Sequence, residues 1–406
     1  MNAASTQYTW PPRTSAADAA ALQGVTAPAG FRAAGVTAGI KASGKPDLAL
    51  VVNEGPQRAA AAVFTSNRVA AAPVHWSREV IKDGRVDAVI LNSGGANACT
   101  GAPGFQDTHR TAEEVASLLG VSATDVVVCS TGLIGERLPM EKILAGAAEA
   151  SGALSAEGGA GAARSIMTTD TVPKQAERTG SGYTIGGMAK GAGMLAPALA
   201  TMLVVITTDA VLNPAQLDAA LRAATGVSFD RADSDGCMST NDTVVLMSSG
   251  AAGVTPDEAE FAALLSELCT DLALQLLADA EGASHDIAVQ TVNAASLEDA
   301  LEVSRAVSRS NLFKTAIFGN DPNWGRVLSE VGTTKAAFEA SDLDVTINGV
   351  MVCRGCGVGE DRSLVDLASA REVSVVIDLK AGTEQATVWT NDLTHDYVEE
   401  NSAYSS

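Results

Sequence analysis

The chain alternates short apolar runs with amphipathic stretches, and glycine, proline or asparagine separates them. Apolar runs bounded by turn residues read as buried strands, and apolar residues three and four apart read as helices. Strands are expected at 48–53 (LALVVN), 62–65, 87–92 (DAVILN), 125–129 (DVVVC) and 202–206, with others near the C-terminus at 345–348, 373–379 and 387–390. A helix is expected over 108–119, with Val115, Leu118 and Leu119 on one face and Gly120 as its stop. Another begins near Pro139. Residues 213–226 carry both end signals: Asn213 as cap, Pro214 in the first turn and Gly226 as terminator. The stretch 255–280 is a long helix whose buried stripe is Phe261, Leu264, Leu265, Leu268, Leu272 and Leu276. Residues 151–163 read as loop and helix. Residues 311–330 read as a turn-rich loop, with Trp324 anchored in the core and Arg326 paired with Asp321 or with a substrate carboxylate. Strands alternating with helices, and hairpins near the C-terminus, imply α/β layers and not a doubly wound parallel sheet.

With 406 residues the chain can form one large domain or two ordinary ones. Its formal net charge of -21 makes nucleic acid and anionic membranes poor partners. Aromatics are 4% of residues, so the core must be built from Ala, Val, Leu and Gly. The first residues lack a basic start and an apolar segment, so no signal peptide is expected; with Pro11 and Pro12, residues 1–23 read as a loose leader. The longest apolar run, around 194–206, is short and contains Pro197, so no membrane span is expected and the cytoplasm is the expected compartment. The six cysteines are scattered except for Cys353 and Cys356, which have no second pair or nearby histidine. That favours packed thiols in a reduced protein over a metal or redox site.

Candidate chemistry centres on 190–209. The first half of this stretch is small and easily bent; the second is apolar and partly β-branched. Thr201, preceded by Ala200, lies where they meet. A hydroxyl there is open to approach by other backbone, as a self-cleaving or nucleophilic threonine requires. Nucleotide loops fit poorly. Gly191 and Gly193 lead to Pro197 and a strand, not to a helix, and Lys190 is followed by glycine, not by Ser or Thr. The tight turn at Ser130-Thr131-Gly132 follows a strand, and its free N–H groups suit either a plain turn or a developing oxyanion. The run Thr168, Thr169, Asp170, Thr171 suits a capped turn or a polar substrate. Asn92, Asn97 and Thr100 suit turn chemistry or ligand contact. The stretch 233–243 lacks the ligand set and distal Glu of a calcium loop and reads as an ordinary polar loop. Glu281 at a helix C-terminus gains nothing from the helix dipole, and exposure is its default. Residues 401–406 are polar and would ordinarily fray.

Several segments resemble the ornithine acetyltransferase (glutamate N-acetyltransferase) family of bifunctional arginine-biosynthesis enzymes. They are KGAGMLAPALATML from Lys190, NSGGANACTG from Asn92, STGLIGERLP from Ser130, SIMTTDTVPK from Ser165, STNDTV from Ser239, DAEG from Asp279, FGNDPNWGR from Phe318 and the tail ENSAYSS. Together they span nearly the whole chain. The resemblance implies a layered sandwich of mixed and antiparallel sheets flanked by helices, of the N-terminal-nucleophile type. It implies self-cleavage between Ala200 and Thr201, giving fragments 24–200 (after the leader) and 201–406, usually assembled as two copies of each. The implied reaction is ping-pong transfer of acetyl from N2-acetyl-L-ornithine to L-glutamate through Thr201. Thr131 and Gly132 match the oxyanion hole. Thr168, Lys190, Thr201, Glu281, Asn401 and Ser406 match substrate contacts. No metal or other cofactor is implied, and acetyl-CoA stays open as a second donor. His285 stands where the family commonly has lysine and is given no role. Two other readings remain: a self-cleaving amidohydrolase or aminopeptidase with water as acceptor, and a self-processing protein without catalysis.

Overall fold

A computed structural model describes residues 7–194 and 202–403. Ala200, Thr201 and Ser406 therefore lie outside the described residues. Those described fall into two compact units: 13–194, 202–230 and 237–279 in one, and 7–12, 231–236 and 280–403 in the other.

In the first unit the strands are β1 (Phe31–Val36), β2 (Leu48–Asn53), β3 (Ala59–Phe64), β4 (Ala88–Ser93), β5 (Val126–Thr131), β6 (Lys174–Thr179), β7 (Thr184–Lys190), β8 (Leu203–Thr208) and β9 (Thr243–Ser248). The helices are α1 (Ala16–Ala21), α2 (Ala72–Val80), α3 (Gly101–Leu119), α4 (Met140–Gly152), α5 (Gly159–Ser165), α6 (Pro214–Val227) and α7 (Glu258–Ala278). One sheet has the order β1-β2-β4-β5 and the other β3-β9-β8-β7-β6. Each mixes one parallel pair, β4/β5 and β8/β9, with antiparallel pairs. The sheets share a core. Ala49, Val51, Val89, Leu91, Val127 and Cys129 of the first meet Ala60, Met188, Val205 and Val245 of the second. The alternate residues Leu50, Ile90, Val126 and Val128 face outward onto Val115, Ile143 and Ala147 of α3 and α4. Both faces of these strands are buried, so VVVC needs no polar alternation. On the far side α7 lies against β6 and β7. There a side chain at Gly187 would meet Leu268 and Leu272 at 3.1 Å. The unit is thus four layers, helix–sheet–sheet–helix.

In the second unit β10 (Asp286–Ala294), β11 (Asp344–Ile347), β12 (Val350–Arg354), β13 (Gly357–Val358), β14 (Glu372–Asp378) and β15 (Glu384–Asn391) form a sheet ordered β13-β12-β11-β14-β10-β15. The helices are α8 (Leu297–Ser308), α9 (Asn311–Phe318), α10 (Trp324–Val331) and α11 (His395–Ala403). Val289, Val345, Val375 and Ile377 from the sheet pack on Val303, Val307, Phe313, Ile317 and Val327 from α8, α9 and α10. Mixed sheets flanked by helices match the expected class.

Several elements differ from expectation. Residues 13–23 are not loose: Ser15 caps α1, and Thr14 donates from its N–H and hydroxyl to Asp271 of α7 at 2.8 and 2.6 Å. The segment 311–330 is not a loop but the helices α9 and α10, capped by Ser310 and Asn323, around a turn at 319–323. Arg326 does not pair with Asp321; it donates to the Leu312 carbonyl. Trp324 does pack partly buried against the core. Helix α6 has the full capping box, Asn213 with Gln216. Among the described residues α7 alone is long and apolar enough to cross a membrane, and most of its apolar length is buried. The point 200/201 is not a boundary between the compact units. The strands on either side of it, β7 and β8, pair residue by residue, Lys190 opposite Leu203.

Candidate active site

The parallel pair β4/β5 ends with Asn92 opposite Ser130 and Ser93 opposite Thr131. Beyond it the chain turns back over itself: Gly94 and Gly95 both donate to the Thr131 carbonyl, at 2.9 and 3.0 Å. Gly132 follows with φ 134°. A Cβ there would lie 2.4 Å from the Gly95 nitrogen, so only glycine fits the turn. Asn92 braces it, donating to the Gly95 carbonyl and accepting from the Ser130 hydroxyl at 2.6 Å. Asn97 donates to Gly104 and Thr108, and Thr100 donates to Asn97. For these residues the turn reading accounts for the side chains.

Lys190, at the end of β7, is 1% exposed and places Nζ 3.5 Å from Thr131 Oγ1. It also lies 3.9 Å from Asp170 Oδ2. Asp170 organises this corner. Its carboxylate accepts the N–H of Thr168 (2.9 Å) and of Gly191 (2.7 Å) and pairs with the ammonium of Lys174. Lys174 is 0% exposed and bonds a second carboxylate, Asp279 Oδ2, at 2.5 Å. Burial by itself would lift the Asp170 carboxyl; the charges of Lys174 and Lys190 and the Gly191 hydrogen bond prevail and hold it well below the ordinary carboxylate range. Thr168 is therefore one end of a capped turn and the neighbour of Lys190's counter-ion. Lys41 donates to the Met167 carbonyl at 2.6 Å beside it. Burial pushes the Lys41 ammonium down to about 8, against the pull of Asp47 and Asp170.

The stretch Asn241-Asp242-Thr243, expected to be ordinary loop, ties the two halves of the site together. Asn241 donates to the carbonyls of Ala96 (2.6 Å) and Ser130 (2.8 Å). Asp242 Oδ1 accepts the Met202 N–H at 3.0 Å, and Thr243 N–H donates to the Met202 carbonyl at 3.2 Å. Met202 is thus fixed to Asp242 and Thr243, while Asn241, one residue earlier, holds the end of β5 at Ser130, next to Thr131.

Thr131, Gly132, Thr168 and Lys190 are brought together within the first unit. Glu281 and Asn401 belong to the second. Glu281 is only 9% exposed, contrary to the default for its position, and its carboxylate has no hydrogen bond or ion pair among the described residues. Gly282 adopts φ 61°, and its Cβ would lie 2.2 Å from the Tyr397 nitrogen, so this turn abuts the first turn of α11. Asn401 on α11 is exposed and donates to the Tyr397 carbonyl. His285 is held between Asp392 Oδ2 (2.8 Å) and the Leu367 carbonyl (3.1 Å), a bracing role for the turn after Glu281. Cys353 is buried beside the Leu343 carbonyl, and Cys356 is an exposed free thiol.

Sequence reading missed the charge centre Asp170–Lys174–Asp279. It missed Asp242, which stands in the polar run Ser239-Thr240-Asn241 before β9 and looks like its neighbours.

The ArgJ family model matches residues 32–406. The arginine biosynthesis bifunctional protein ArgJ of Thermobifida fusca is 65% identical over 382 residues, covering 94% of this chain and 100% of its own. Its counterpart in Mycobacterium leprae is 58% identical over 393 residues, 95% of this chain and 96% of its own. Among solved structures, the ornithine acetyltransferase of Mycobacterium tuberculosis, complexed with ornithine, is 61% identical over 45% of this chain and 96% of its own, with TM-score 0.43. The arginine biosynthesis bifunctional protein of Bacillus halodurans is 35% identical over 49% of this chain and 97% of its own, with TM-score 0.47.

Proposed function

The chain belongs to the ArgJ family, and from that premise we propose that it is a self-cleaving acetyltransferase of arginine biosynthesis. It moves acetyl from N2-acetyl-L-ornithine to L-glutamate through an ester on Thr201. In maturation the Thr201 hydroxyl attacks the Ala200 carbonyl carbon. The peptide C–N bond breaks, the acyl group passes to oxygen, and water hydrolyses the ester. The freed α-amine, of ordinary pKa about 7.7–8.0, then serves as general base for its own hydroxyl near neutral pH. In the first half-reaction that hydroxyl attacks the acetyl carbon and ornithine leaves with the proton on its amine. In the second, the glutamate amine attacks acetyl-Thr201 and N-acetylglutamate leaves.

The observation that carries this reading is the tie through Asn241 and Asp242, which anchors Met202 and the end of β5 before Gly132 to one tripeptide. It supports an oxyanion hole beside the nucleophile. Each such donor is worth about 2.7–4 kcal/mol in the transition state. Lys190, 3.5 Å from Thr131, suits the substrate α-carboxylate or the oxyanion. Glu281, buried and without a partner among the described residues, suits the ornithine ammonium. Thr168, Asn401 and Ser406 are assigned to the remaining amino-acid groups. The steps use no metal or organic cofactor. Acetyl-CoA as a second donor for N-acetylglutamate synthesis is consistent with the relatives' name, bifunctional.

The two fragments on either side of the Ala200–Thr201 bond are expected to stay together. In the sheet ordered β3-β9-β8-β7-β6, strands from the first fragment flank β8 and β9 from the second on both sides. Two copies of each fragment, working in the cytoplasm, complete the proposal. Thr201→Ala tests it: the variant is expected to stay uncleaved and to transfer no acetyl, and either activity surviving overturns the scheme.

A further inference from the structure

Asp242 is fully buried, and its two carboxyl oxygens differ. Oδ1 accepts the Met202 N–H at 3.0 Å, whereas Oδ2 is buried with no hydrogen-bond partner among the described residues. The Met202 N–H belongs to the peptide that joins Thr201 to Met202. Thr243 N–H takes the Met202 carbonyl at 3.2 Å, so residue 202 is gripped on both sides. Asn241, one residue earlier, donates to the Ser130 carbonyl at 2.8 Å, next to Thr131. The backbone of Asp242 is itself fixed, its carbonyl accepting Thr65 N–H at 2.9 Å.

We propose that Asp242 is a positioning residue: by accepting the N–H of the Thr201–Met202 peptide it fixes the nucleophile's backbone relative to the Thr131–Gly132 turn, in self-cleavage and in acetyl transfer. The inference rests on the reading of Thr201 as nucleophile. Burying a carboxylate with one unpaired oxygen costs far more than burying a neutral carboxyl in the same place. Burial lifts the Asp242 carboxyl well above its usual range, against the Met202 N–H, the nearby Ser239 and Thr65 hydroxyls and the charge of Lys190. What the Met202 N–H requires is an acceptor in this place, and an uncharged group can supply it. Asparagine supplies the same acceptor; leucine keeps the volume and removes it.

The test uses the full chain with Asp242→Asn and Asp242→Leu. Self-cleavage is followed by intact mass, folding by circular dichroism, and kcat and KM are measured on whatever cleaves. Misplacing a reacting group by about 1 Å can lower a rate about 10²-fold. Asp242→Leu is therefore expected to cleave at least about tenfold more slowly and to lose kcat with KM little changed. Asp242→Asn is expected within about threefold of the wild type in both, given that its side-chain carbonyl replaces the acceptor. A purely structural role would lower the melting temperature of Asp242→Leu while its folded fraction kept the wild-type rate; that result overturns the proposal. So does an Asp242→Asn protein as slow as Asp242→Leu. If Asp242→Leu does not fold, Asp242→Asn decides alone, and a loss beyond about tenfold overturns the proposal. A wild type that never cleaves fails the Thr201 assignment, and this inference with it. Normal wild-type cleavage with unchanged Asp242→Leu fails this inference only.

Discussion

Replacing Lys174 with methionine removes the cation at the centre of the charge cluster while nearly keeping its length. Lys174 is wholly buried; its ammonium contacts Asp170, Asp279 Oδ2 at 2.5 Å and the Gly191 carbonyl at 3.1 Å. The methionine variant leaves two carboxylates facing an apolar group, with side chains 0% and 8% exposed. Breaking a buried pair by deleting one partner costs about 3–5 kcal/mol. For a unit of this size each kcal/mol is worth about 2–4 °C, so the melting transition should fall by about 6–20 °C. Scanning calorimetry of cleaved wild type and Lys174→Met at pH 7 reads this directly. The pH dependence supplies a second check. Asp170 is held below its ordinary value, so its contribution is present above the unfolded pKa of about 3.9 and is lost as pH falls through the folded value. Without Lys174 that depression shrinks. The stability gap between wild type and variant should therefore be full near pH 6–7 (about two units above the unfolded pKa) and narrow as pH drops below about 4. A midpoint change under about 2 °C, or a gap that widens on acidification, would refute the account of the cluster.

Two further substitutions probe the site. Gly132→Ala forces a side chain to φ 134° and to within 2.4 Å of the Gly95 nitrogen, so self-cleavage and transfer should both fall by about 10²–10³-fold. Time courses of precursor loss and of N-acetylglutamate formation measure it, and rates near wild type would remove this turn from the mechanism. Glu281→Gln should raise KM for N2-acetylornithine by about 10-fold or more, the worth of a charge-assisted hydrogen bond, with kcat changed less. Steady-state kinetics decide, and an unchanged KM would free Glu281 from ammonium binding.

The parts of the fold that were legible are those in which local signals act alone. The apolar runs of β2, β4, β5 and β8 announce themselves, and Asn213, Pro214 and Gln216 mark the start of α6 in sequence. Strand β6, KQAERT, was not legible, because its polar residues are fixed by partners far along the chain. Lys174 bonds Asp279, the Gln175 N–H donates to the Gln275 side-chain oxygen, and Arg178 pairs with Asp271. Around α9 and α10 the turn residues Gly319, Asn320 and Pro322 were read correctly as a turn, but they obscured the short helices on either side. In the site, Thr131–Gly132 and Lys190 stood out through motif resemblance. Asp170 and Asp242 lie inside the matched segments SIMTTDTVPK and STNDTV but were given no role there. Their roles come from contacts with Lys190 and Met202, and nothing in their own flanking residues discloses those contacts.

The central claim is an N-terminal threonine nucleophile, and the most direct measurement is the mass of the purified protein under denaturing conditions, before and after mixing with N2-acetyl-L-ornithine. The account predicts two fragments in place of one 41.2 kDa chain, the second beginning Thr201-Met202-Leu203 and gaining one acetyl group on mixing. A single uncleaved chain that nevertheless transfers acetyl, or a cleaved fragment that never becomes acetylated, would contradict it.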